Sequence, residues 1–171
     1  MRATVLPLAF LLIPLISVVA QEHQHQPSPY AAQEPSGIAS LSAGEVRDLE
    51  NGAGMALARA AELNHHPGPL HVLELADSLG LTAEQRERTT AIREAMLERA
   101  VELGRRIVEA ERHLSDRFAH GHVDSASVAA ATEAIGRLYG ELRYVHLAAH
   151  LAMKQVLTPV QVAAYDRLRG Y

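Results

Sequence analysis

Two apolar stripes at helical spacing, joined by five residues, constrain this chain more than any other feature. From Thr82 to about Ala119, the residues Ile92, Met96, Ala100, Leu103, Ile107, Ala110, Leu114 and Phe118 recur every three or four positions. From Ser125 to about Val156, Val128, Ala131, Ile135, Leu138, Leu142, Val145, Ala149 and Val156 approach the ~3.5-residue repeat of helices meeting along a seam. Between them Gly121-His122-Val123-Asp124-Ser125 supplies a helix stop and a fresh N-cap. So short a connection makes the two helices antiparallel neighbours. At ~1.5 Å rise per residue, each arm reaches roughly 50 Å. The expected class is all-α: a long antiparallel helical hairpin with short flanking helices. One hairpin of that length cannot bury both its faces. The short helices must cover part of it, and a second subunit more.

The flanking elements are shorter and more broken. Ser42 and Glu45 have capping-box spacing and start a helix expected to run to about Leu63, with Gly52 and Gly54 weakening its middle enough for a break or kink there. Asn64-His65-His66-Pro67-Gly68-Pro69 reads as a turn, and a short helix from about Leu70 to Ser78 is stopped by Gly80. A last helix is expected from Pro159 to about Arg169. The pairs Glu84/Arg88, Glu102/Arg106 and Arg112/Asp116 stand at i,i+4 and describe a solvated face. Residues 42–171 thus form one helical domain.

Ahead of it, Met1-Arg2 and the apolar run from Leu6 to Ala20 read as a secretory signal, with Val18 and Ala20 where a signal peptidase reads small residues. The run is short for a span and contains Pro7 and Pro14, so cleavage after Ala20 is favoured over an uncleaved anchor. Residues 21–41, rich in Gln, Pro and Ser, read as a flexible tail. Loss of Arg2 takes the formal charge from −4 to −5. No stable membrane insertion is expected after cleavage.

Composition removes several function classes. Sixteen Lys and Arg against twenty Asp and Glu, with 4% aromatics and no Trp, offer neither the positive surface nor the stacking platforms of nucleic-acid binding. There is no Cys, hence no disulfide, thiolate nucleophile or lipid-anchoring cysteine. No P-loop, dinucleotide turn or nucleophile elbow occurs, so neither enzymatic activity nor an organic cofactor is expected.

Leu81-Thr82-Ala83-Glu84-Gln85 and Leu157-Thr158-Pro159-Val160-Gln161 share the pattern Leu-Thr-x-x-Gln. Physically each is a helix start, with Thr as N-cap and Gln reaching back from the third position. Leu157 can staple onto Val162, whereas Arg86 weakens the staple of the first copy. Two copies flanking a long hairpin, behind a signal peptide, resemble the Spy/CpxP family of periplasmic proteins, with its ZraP-like and CnrX-like heavy-metal resistance and sensor members. The resemblance covers roughly residues 42–171. It implies a periplasmic, cradle-like homodimer and a role in envelope stress or heavy-metal resistance. Such a protein binds or senses a divalent transition metal, or acts as an ATP-independent chaperone on unfolded clients. An inner-membrane signalling protein is a further implied partner.

Ten histidines are the compositional excess that bears on metal. His146 and His150 stand at i,i+4 on the second long helix, and Met153 extends their face. Two imidazoles and a thioether suit Zn, Cu or Ni. Residues bordering a seam serve equally as packing. His146-Leu-Ala-Ala-His150 lacks the Glu that a zinc protease places after its first His. Glu94 and Glu98 should lie near this height on the partner arm, but off its apolar stripe. Cleavage after Ala20 would expose Gln21-Glu22-His23, whose amine, two amides and imidazole form a square-planar Cu(II) or Ni(II) site, with His25 in reach; cyclisation of Gln21 would remove the amine. His65, His66, His71, His113, His120 and His122 fall in turns or near helix ends.

Overall fold

The computed structural model describes residues 37–171. The signal segment 1–20, the His23 site and tail residues 21–36 lie outside the described residues. Among the described residues six helices follow in order: α1 (Ala43–Glu50), α2 (Arg59–Glu62), α3 (Pro69–Glu74), α4 (Ala83–Ala119), α5 (Ser125–Val156) and α6 (Pro159–Arg169). There is no strand among the described residues. The expected hairpin is α4 and α5, packed against each other. Among these residues no helix is long and apolar enough to cross a membrane.

Four of the six helices begin with a reciprocal capping box: Ser42/Glu45, Thr82/Gln85, Asp124/Ser127 and Thr158/Gln161. The first helix breaks at the glycines that weaken its middle. It stops at Glu50, Gly52 takes φ +63°, and the chain turns until Arg59. The reason is close contact: a Cβ on Gly52 would come within 3.0 to 3.2 Å of Leu97, Ala100 and Val101 on α4. Met55 and Ala56 share this left-handed geometry at φ 42° and 59°. The short third helix likewise ends at Glu74, and turns carry the chain to Gly80.

Two apolar clusters hold the fold. In the first, Ile38, Leu41 and Leu49 pack on Ala100, Leu103, Ile107 and Val108 of α4 and on Leu138 and Leu142 of α5. The packed body therefore starts before Ser42, because Ile38 and Leu41 supply apolar surface that the hairpin buries. Ala39 N–H donates to Ser115 Oγ at 3.1 Å and Ser40 Oγ to Glu111 Oε2 at 2.7 Å, laying this segment along α4. The contact between α1 and α4 is made backbone to backbone. A Cβ on Gly104 would stand 1.9 Å from the Leu49 carbonyl oxygen. Beyond Ser115 the described residues provide no third layer, so Phe118, expected on the buried stripe, is 56% exposed.

In the second cluster Val72, Ala76, Leu79 and Leu81 meet Met153, Val156, Leu157, Val162 and Tyr165. Leu157 and Val162 are both buried there, as the staple requires. Arg86, at the equivalent place in the first motif, instead pairs with Asp77 at 2.6 Å. The two Leu-Thr-x-x-Gln segments are in direct contact. Gln85 Nε2 donates to Gln161 Oε1 at 2.8 Å, and Gln161 Nε2 returns a bond to Gln85 Oε1 at 3.0 Å. Gln85 Nε2 also reaches the Val156 carbonyl at 2.9 Å, and Gln161 Nε2 the Leu79 carbonyl at 3.3 Å. One amide pair thus joins the start of α4 to the end of α5 and the start of α6.

Candidate functional site

On α5 the buried stripe passes from Leu142, in the first cluster, to Met153, in the second. His146 and His150 lie between them, 4% and 8% exposed. They stand in the core-facing stripe itself rather than at its border, because α2, α3 and the preceding loop cover this stretch of α5. Met153 is fully buried among the apolar residues of the second cluster, and its place there is packing.

The two imidazoles face different surroundings. His150 Nδ1 lies 2.7 Å from the His66 carbonyl oxygen, an acceptor, so this nitrogen carries a proton and, in the neutral ring, Nε2 keeps its lone pair. Behind Nδ1, Glu62 Oε2 stands at 3.5 Å. Gly68 backs onto the ring so closely that a Cβ there would come within 2.9 Å of Cε1. His146 Nε2 is buried with no hydrogen-bond partner. Burial, and secondarily the neighbouring His150, pushes the His146 pKa below the usual imidazole value. Its neutral form is therefore favoured.

Glu62 ties this region to the C-terminus. It accepts from the Tyr165 hydroxyl and, at 3.2 Å, from the Tyr171 hydroxyl, with Arg169 Nε at 3.6 Å. Burial, followed by the bond to Glu62, pushes the Tyr165 phenol well above its ordinary value. With these partners the carboxylate is committed.

Both histidines line a cavity of about 500 Å³ walled by the Asn51–Ala58 loop, α2, the start of α3, α4, α5 and the C-terminal residues. Arg59, Arg93 and Arg169 also line it, as do Met55, Leu70, Met96 and Leu97. Glu94 and Glu98 are exposed and do not reach it. Among the described residues, no three His, Cys, Asp or Glu side chains are gathered as a metal-holding group.

The remaining described histidines are engaged locally. His65 pairs with Asp166 at 2.9 Å, His66 with the Asn64 carbonyl at 2.7 Å and His71 with Glu74 at 2.8 Å. At the hairpin tip His120 contacts the Asp116 carbonyl at 2.7 Å and stacks on His122, while His113 stands 3.8 Å from Glu109.

Helical spacing brought His146 and His150 together from sequence. Glu62, Arg59 and Arg93 carried no such signal, since the loop after α1 and the packing of α2 against α5 bring Arg59 and Glu62 to the cavity wall that Arg93 lines from α4. Comparison with protein-family models, with curated proteins and with solved structures finds no match for this chain.

Proposed function

We propose that this chain is a non-enzymatic, exported binding protein of envelope stress or heavy-metal resistance, taking a divalent transition metal at His146 and His150. One observation carries the reading. Two imidazoles one helical turn apart line a single cavity, with Nδ1 of His150 engaged by the His66 carbonyl and Nε2 of His146 without a partner. A ring whose other nitrogen donates to a carbonyl, with a carboxylate behind it, is oriented as ligating histidines are. Nitrogen donors without a free carboxylate favour Zn, Cu or Ni over Ca or Mg. The Spy/CpxP resemblance, through its metal-resistance and sensor members, points the same way and supports a periplasmic setting and a homodimer. Calorimetric titration of the protein with Zn²⁺, Cu²⁺ and Ni²⁺, beside His146→Ala and His150→Ala, tests it. Binding heat that both variants lose is the expected result; equal heat from all three proteins would overturn the reading.

A second reading has its own support. Tyr144 and Leu151, two helical turns apart on α5, are 70% and 58% exposed, and Phe118 is exposed toward the tip. Such apolar surface suits an ATP-independent chaperone holding unfolded chains. That role requires suppression of client aggregation in metal-free buffer, undiminished by His146→Ala.

A further inference from the structure

The cavity beside His146 has the wrong charge to serve cations alone. Of its three arginines, only Arg169 has a carboxylate partner among the described residues, and that partner, Glu62, is already shared with Tyr165, Tyr171 and His150. Arg59 and Arg93 line the space without an ion-pair partner among the described residues. Arginine forks left unpaired at the wall of a half-enclosed site match a planar carboxylate, which accepts two parallel N–H bonds. A separate observation also calls for a ligand: His146 is 4% exposed and its Nε2 has no partner, although it lines the same cavity. Such a group is costly unless something supplies its bond. The rest of the wall is largely aliphatic, from Met55, Leu70, Met96 and Leu97. A volume of about 500 Å³ suits a small organic molecule, and apolar walls with a few convergent polar groups are the usual composition of such a site.

We propose that this cavity binds a small organic carboxylate with an apolar body, its carboxylate on Arg59 and Arg93 beside His146 and its body against the methionine and leucine wall. In the bound state the guanidinium groups donate to the carboxylate oxygens, and the Nε2–H tautomer of His146 donates a further bond. The apolar body gives the site its preference over inorganic anions, which the same arginines would hold in water without gain from the wall. Met55 and Ala56, both at positive φ, form part of the rim. The proposal does not depend on metal. A neutral His146 presents Nε2 either as a lone pair to an ion or as N–H to a carboxylate, so the test is run with chelator present.

Octanoate and 1-octanol, which share a chain and differ in the charged head, are the probes. They are titrated into the full chain by calorimetry in EDTA-containing buffer, with ring resonances of His146 and His150 followed by NMR. Saturable octanoate binding at least about tenfold tighter than octanol is expected, together with a shift of the His146 ring signals. The Arg59→Gln/Arg93→Gln double variant should lose that advantage while keeping its helical circular dichroism. Absence of saturable octanoate binding would overturn the proposal. So would octanol binding as tight as octanoate, or a double variant that binds octanoate like the wild type. The metal titrations contain no carboxylate probe, so the two readings stand or fall separately.

Discussion

His146 is where sequence and structure differ most usefully. Spacing paired it with His150, but only the fold shows that it is buried with an unpartnered nitrogen. Its depressed pKa makes stability pH-dependent. The unfolded chain takes up a proton near pH ~6.5 while the folded chain resists it, so the unfolded state binds more protons as pH falls. The contribution is full above that value and is lost as pH drops through the lower folded value. His146→Gln should therefore flatten the acid limb of stability against pH, read by urea unfolding between pH 7 and pH 5 (about the range of imidazole titration). His150 and Glu62 are the titratable neighbours to hold constant. Tyr165 offers a second residue test. Its ring is fully buried and its hydroxyl satisfies Glu62, so Tyr165→Phe keeps the packing and removes one bond to a committed carboxylate. A loss of about 1–3 kcal/mol in unfolding free energy is expected.

At the scale of elements, the long helices were legible because their stripes run for many turns, and α5 and α6 span the residues their caps and stripes indicate. The break in the first helix was signalled by Gly52 and Gly54, but the extent of the turn, up to Arg59, follows from contact with α4 that the sequence does not show. Gly104 separates propensity from packing. Alanine there would gain roughly 1 kcal/mol on helix propensity alone. A Cβ set 1.9 Å from the Leu49 carbonyl instead pushes α1 off α4. Gly104→Ala should destabilise by about 3 kcal/mol or more, measured as a lower urea midpoint. Each glutamine of the paired motifs was readable as a cap, but their mutual bond was not, because it links residues 76 positions apart. A Gln85→Ala/Gln161→Ala double-mutant cycle should show a coupling of about 1 kcal/mol, whereas two independent caps would give none.

For the whole molecule, the hairpin with two clusters at different heights explains where a site can be. The clusters close the fold above and below His146 and His150, and the loop after α1 leaves space between them. The sequence carried the all-α class and the imidazole pair. It did not carry the cavity, because Arg59 and Glu62 meet Arg93 only through the turns that follow α1. The central claim is that His146 and His150 present free Nε2 atoms to an ion, with His150 held through Nδ1–H by the His66 carbonyl. Histidine ring ¹⁵N NMR during Zn²⁺ titration tests this at the atoms concerned. The account predicts an Nδ1–H tautomer for His150 in the metal-free protein and zinc-induced shifts at Nε2 of both rings. An Nε2–H tautomer at His150, or rings that zinc leaves unchanged, would contradict it.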